Sequence, residues 1–228
     1  MQESVDLWTI INSIIVYGLP ATLFLTATGL ILGFFLGLAL ALMRVYGAIE
    51  LQWLSDGYEK ILRGIPILVL MFIFGWGMPG IFWFIPAIYR TLAGVILALA
   101  LRSGAYQSQL YRGAILSVSE GQMLAARSIG MTQLQASRHI ILPQALRIAV
   151  PGFSNEYAVI IKDSAFAAAV GITEMFRIAR SNSMSHPELW IPIMLVTAII
   201  YMIFTLPVTK YIGERQTKKL KNLGLGGG

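Results

Sequence analysis

The chain has 228 residues, of which 57% are hydrophobic and 12% charged, with a net charge of +6 and a mean hydropathy of +0.72. Soluble domains carry roughly 25% charged residues, and disordered chains are poor in apolar ones. A soluble enzyme and a disordered chain are therefore both excluded, and an all-α polytopic membrane protein is expected. With no cysteine there is no disulfide, thiolate metal site or cysteine nucleophile, and His139 and His186 are too few and too far apart for a histidine-rich metal site.

The first charges, Glu3 and Asp6, are acidic where a cleavable signal would carry Lys or Arg. From Leu7 to Met43 there is no charge at all. As one helix that run would reach about 55 Å, well beyond a hydrocarbon core of about 30 Å. It divides into an interfacial segment, residues 7–17, and a first span, Leu19–Met43. The second uncharged run, Gly64–Tyr89, is broken by Pro79-Gly80. It predicts a span over Gly64–Met78, extended backward through Tyr58–Arg63, with Trp76, Trp83 and Phe84 at the membrane surface. A third span is expected over Pro86–Tyr111, with Arg102 inside it. A fourth, Leu146–Val170, carries Glu156, Lys162 and Asp163, and a fifth covers Trp190–Ile212. Residues 19–212 thus form a five-span core in a single domain, with a cytoplasmic tail over 213–228 whose Gly224–Gly228 end reads as disordered. Placing the N-terminus outside leaves twelve Lys and Arg in the inner segments and three in the outer ones, so the C-terminus is inside. The C-terminal cluster of Lys210, Arg215, Lys218, Lys219 and Lys221 suits anionic lipid headgroups; such a distribution needs no nucleic-acid partner.

The longest inner loop runs from Arg112 to about Arg147. Ser119 and Glu120 are helix starters and Gly130 a helix stop, so a short helix is expected within residues 119–130. Ala125-Ala126, then Gly130, then Ile140, Leu142 and Pro143 match the spacing of a loop motif, and this stretch resembles the permease subunits of binding-protein-dependent ATP-binding cassette importers. In that family the loop is the coupling helix that docks on the ATPase subunit. The resemblance gives the coupling role to Gly121, Leu124, Ala125, Ala126 and Gly130, with Leu124 standing where the family has Glu. Further matches are Arg63-Gly64-Ile65-Pro66, Ala105-Tyr106 with Arg112-Gly113-Ala114-Ile115, Leu142-Pro143-Gln144-Ala145-Leu146-Arg147, and Asn155-Glu156 with Lys162-Asp163-Ser164. Together they are similar to the polar amino-acid uptake permeases of the histidine, arginine, glutamine and glutamate type. Gln109 departs from a frequent Glu and Arg102 from a frequent Asn.

That resemblance implies a type I importer permease in a prokaryotic cell (inner) membrane. Its partners would be two ATPase subunits, a second permease copy or paralogue, an extracytoplasmic solute-binding protein and the amino acid. No Walker-type phosphate loop occurs in the chain, so ATP and Mg would be bound by the partner ATPase, with no cofactor here and no enzyme activity.

Ionisable groups at mid-bilayer cost at least about 2.5–3.5 kcal/mol each on insertion scales, so Arg102, Glu156, Lys162 and Asp163 call for a function or for mutual pairing. Glu156 and Asp163, two helical turns apart, return to one face about 10 Å apart along the axis. They suit the ammonium of an amino acid, and Arg102 its carboxylate. The resemblance adds Asn155 and favours cationic amino acids. Arg102 can equally neutralise Glu156 or Asp163 as a structural ion pair. Two other classes stay open: a secondary transporter using Glu156 or Asp163 as an ion or proton site, and an intramembrane enzyme, which would need a nucleophile–base pair or metal ligands in the spans, where no histidine lies. Gly29, Gly33 and Gly37 form a small-residue stripe, read as packing within the subunit or as a dimer contact. Arg177 and Arg180, with Glu174, read as an outer gate or a solvated face.

Overall fold

The computed structural model describes residues 6–222. Residues 1–5, with Glu3, and 223–228, with the Gly224–Gly228 tail, lie outside the described residues, as does the Lys221 side chain. We number eight helices: α1 Leu7–Tyr46, α2 Ile49–Gly64, α3 Ile67–Gly77, α4 Ala87–Leu116, α5 Glu120–Ser128, α6 Leu142–Asp163, α7 Met175–Ser185 and α8 Pro187–Leu220. No strand occurs among the described residues. Three helices, α1, α4 and α8, are each long and apolar enough to cross a membrane, and the α2–α3 pair, bent by 99°, makes a fourth if taken as one span. The charge-bearing α6 is not in that set by length and composition.

The expected division near Gly18 is not a break. Helix α1 runs 40 residues from Leu7, with a π turn over Ile14–Gly18 just ahead of Pro20. A proline lacks the N–H and its ring crowds the carbonyl four residues back; a wider π turn absorbs both effects without ending the helix. The same pairing recurs where a π turn over Ser137–Ile141 precedes Pro143, and where one over Val208–Glu214 follows Pro207. The last keeps the chain helical through Asn222, past residue 213 where the tail was expected to start. The second expected span bends at Gly64–Pro66 as well as ending at Pro79. Ile65 is extended, as a residue before proline must be.

Helix α6 contains Pro151. Its missing N–H frees the carbonyl of Arg147, which accepts from the Gln216 Nε2 at 3.4 Å. Gly213 makes room for this approach, since a Cβ there would collide with the Ser154 Oγ. Beyond Asp163 the expected span does not continue as an α-helix. A 3-10 stretch, Ser164–Val170, ends at Gly171 with φ +95°, a left-handed turn that reverses the chain toward α7.

The glycine stripe of α1 packs against α4 within this chain. A Cβ on Gly29 would lie 3.0 Å from the Leu99 Cβ, and one on Gly33 2.8 Å from the Ser103 Cβ. One on Gly37 would stand 2.9 Å from the Gly104 carbonyl oxygen. Helix α4 answers with a buried polar ladder: Tyr111 donates to the Gln107 side-chain oxygen, and Gln107 Nε2 donates to Ser103 Oγ at 2.9 Å and Leu30 O at 3.2 Å. Every polar atom that the close approach buries in this ladder finds a partner, as it must away from water. Leu25, Leu70, Met71, Val95, Leu99, Ile160 and Val170 fill the apolar core around this seam.

Candidate functional site

The seam holds α4 so that Arg102 faces α6. Its Nε lies 3.2 Å from Asp163 Oδ2 and its Nη1 3.4 Å from Glu156 Oε1. All three side chains are withdrawn from solvent: 12% exposed for Arg102, 5% for Glu156 and 15% for Asp163. The two-turn spacing of the carboxylates on α6 lets one planar guanidinium reach both. Two acids against one cation leave the cluster a net negative charge when both are ionised.

Tyr106, one turn beyond Arg102 on α4, completes the arrangement. The Arg102 guanidinium sits 4.5 Å from its ring centroid and that of Arg63, at the end of α2, 5.0 Å from the same centroid. An aromatic face attracts such cations through its quadrupole. Arg63 is exposed and holds no salt bridge among the described residues. The site thus offers a free cation beside a carboxylate-rich cluster.

Other expected residues sit elsewhere. Asn155 is exposed and lines a separate cavity of about 440 Å³ with Pro151, Thr209, Gly213 and Glu214, away from Arg102. Lys162 turns toward Tyr201 and Thr205 of α8, across a cavity of about 350 Å³. Two further acids are buried: Glu59, which the sequence did not single out, and Glu174, which is turned inward and not part of a solvated face. Glu59 on α2, 2% exposed, accepts from the Ser108 hydroxyl and, at 3.2 Å, from Gln109 Nε2. Glu174 is fully buried and accepts from the N–H groups of Phe176 and Arg177 at 2.8 and 2.7 Å and from Tyr201 at 3.2 Å. It caps α7 and ties it to α8, while Thr22 of α1 accepts from the Met175 N–H at 3.1 Å. The burial of Glu174 against Thr22, 152 residues away, is set by the tertiary fold and not by any local pattern.

At the opposite end of the bundle, α5 begins after Ser119 with Glu120 in its first turn and Arg127 in its last, complementing the helix dipole. It ends in a Schellman motif. The Met131 N–H bonds Ala126 O at 3.1 Å, the Gly130 N–H bonds Arg127 O at 3.0 Å, and Gly130 has φ +85°. Ala126 is buried, whereas Gly121, Ala125 and Leu124 face outward, Leu124 at 67% exposure. Leu116, Ile129 and Leu134 are exposed near it.

Long apolar helices around a buried cluster of ionisable side chains, with a short helix at one end, suit a membrane transport subunit. Residues 29–212 match the family described as the binding-protein-dependent transport system inner membrane component. Over 214 residues the chain is 35% identical to the L-cystine transport system permease protein TcyB of Bacillus subtilis, covering 92% of this chain and 87% of that one. The probable amino-acid permease protein YxeN of the same organism is 34% identical over 197 residues, 84% of this chain and 85% of its own. Among solved structures, an amino acid ABC transporter crystallised with histidines has a permease chain 30% identical, with a TM-score of 0.78 over 94% of this chain and 99% of that one. The inward-facing MetNI methionine transporter, at 19% identity, shares the fold with a TM-score of 0.72 over 92% and 97%. The chain belongs to this family of transport-system inner membrane components, among the amino-acid permeases of ATP-binding cassette importers. Such permeases are membrane subunits and not themselves enzymes.

Proposed function

We propose that the chain forms half of the translocation path of an ATP-driven importer for polar amino acids, with cationic ones favoured. The observation that carries this reading is the cluster in which Arg102 alone answers both Glu156 and Asp163. Two carboxyl groups against one guanidinium leave an acid to spare for a cationic guest. Arg63, which also lies over the Tyr106 ring, takes the substrate carboxylate. A cationic side chain competes with Arg102 for one of the two acids, so occupancy loosens α4 from α6.

In this reading the N-terminus is outside and the C-terminus inside. A second copy or paralogue covers the facing surface, and a solute-binding protein delivers substrate. ATPase subunits, which hold ATP and Mg, grip α5 through Leu124, Ala125 and the apolar residues around them. The loss of the family Glu at Leu124 is offset by apolar contact. The two ATPase states bias the inward- and outward-facing forms through differential affinity.

The test is uptake into vesicles holding the permease with its ATPase and solute-binding protein, across a panel of radiolabelled amino acids. Glu156→Gln is expected to cut the preference for cationic over neutral substrates by about tenfold. An unchanged ranking and rate would remove Glu156 from the substrate site.

A further inference from the structure

Helix α7, at the end of the bundle away from α5, carries two arginines that the described residues leave without an acid. Glu174, three residues before Arg177, is turned inward and spends its oxygens on backbone N–H groups and Tyr201. Neither Arg177 nor Arg180 forms a salt bridge among the described residues. The Arg177 Nη1 is buried and has no hydrogen-bond partner there. A buried guanidinium nitrogen without an acceptor carries an uncompensated desolvation cost. Arg177, Arg180 and Ser181 share one face of α7 and line a cavity of about 410 Å³ with Trp76, Ala168 and Gly171. The turn at Gly171 and the bond from Trp76 Nε1 to Val170 O, 2.9 Å, hold its opposite wall in place.

Among the described residues the cavity offers cations, a hydroxyl and an aromatic ring, but no carboxylate. A free amino acid is a zwitterion and needs an anion for its ammonium, so it does not fit. An acidic side chain on a protein brings only the carboxylate, and the exposed Trp76 and Met184 supply the apolar rim that such anchors use. We propose that the Arg177–Arg180 cavity receives a Glu or Asp side chain of the extracytoplasmic solute-binding protein, fixing its register over the translocation path. This rests on the importer reading and on the outward placement of α7.

The test uses the permease–ATPase complex in nanodiscs of uncharged lipid, titrated with the solute-binding protein that stimulates its ATP hydrolysis. The readout is the concentration giving half-maximal stimulation above the basal rate. Arg177→Gln with Arg180→Gln is expected to raise that concentration by about tenfold and to flatten its dependence on salt, which screens exposed charges. Arg180 is exposed, so Arg180→Glu carries the test if Arg177 variants fail to fold, and a Lys in place of the contacting acid on the binding protein should restore it. A half-maximal concentration within about twofold of wild type in folded variants overturns the proposal. So does an effect that appears only in anionic lipid, which would make the cavity a headgroup site. Loss of direct binding of a free amino acid would likewise reassign it to substrate. If no solute-binding protein stimulates even the wild-type complex, the importer reading itself fails, a result distinct from all of these.

Discussion

Removing Arg102 tests the charged cluster most directly. Arg102→Met keeps most of the side-chain volume but leaves Glu156 and Asp163 facing each other's field with no cation, both behind less than one-sixth exposure. Breaking a buried ion pair by deleting one partner costs about 3–5 kcal/mol, because the remaining charge stays desolvated. The contacts here, 3.2 and 3.4 Å, are longer than the tightest charge-assisted bonds, which places the expectation at about 3 kcal/mol, the lower end. For a chain of this length that is a fall of about 6–12 °C in the thermal midpoint. The measurement is the midpoint of the purified permease–ATPase complex in detergent, followed by loss of the monodisperse peak. The triple variant Arg102→Met, Glu156→Gln, Asp163→Asn removes every charge and should recover most of the loss, since a neutral replacement of a buried pair is often harmless. A single variant within about 2 °C of wild type, or a triple variant no better than the single one, would refute the argument that these three side chains answer one another.

Gly33→Leu should lower the midpoint of the same complex by about 4–8 °C, equivalent to roughly 2 kcal/mol of overpacking against Ser103 and Gln107; an unchanged midpoint would show that α1 and α4 can part freely. Gly130→Ala meets no neighbour but is forced to φ +85°, so it should cost about 1 kcal/mol locally, read as faster amide exchange in residues 126–131 with the rest of the chain unaffected. Leu124→Ala is expected to weaken ATPase association by about tenfold, from the apolar area withdrawn from the contact; equal co-purification would place the grip elsewhere. Gly18→Val puts a Cβ 2.6 Å from the Met175 Cα and should separate α1 from α7, lowering the midpoint by about 5 °C.

The membrane class and the helical fold were legible because composition alone excludes the alternatives. The spacing from Ala125 to Pro143 pointed to the same family that residues 29–212 match. The helix boundaries were less legible. The split of α1 near Gly18 rested on a length limit for one span, and no sequence rule announces a π turn ahead of Pro20. The bend at Gly64–Pro66 was written in its own proline, but the later Pro79-Gly80 looked the stronger break. Of the expected substrate residues, Arg102, Glu156 and Asp163 come together, since helical period alone aligns the two acids. Asn155, one residue before Glu156, is carried about 100° round the helix to another cavity. Tyr106 and Arg63 were quoted only as parts of motifs. Their meeting depends on the tertiary approach of α2 to α4, which no local pattern encodes. Glu59 was missed for the same reason, its donors Ser108 and Gln109 lying on another helix, and the burial of Glu174, read with Arg177 and Arg180 as an outer gate or a solvated face, depends on Thr22 and Tyr201 of other helices.

The seam of Gly29, Gly33 and Gly37 against α4 has a mechanical corollary. With backbone nearly touching backbone, neither helix can roll or slide without opening a void, so the two behave as one double-walled strut. Arg102 is bolted to that strut, whereas Glu156 and Asp163 ride on a separate rod weakened by Pro151. Any stroke that separates the guanidinium from its carboxylates therefore swings the rod or the whole strut, with the give concentrated at the slender joints around Gly64–Pro66 and Gly171.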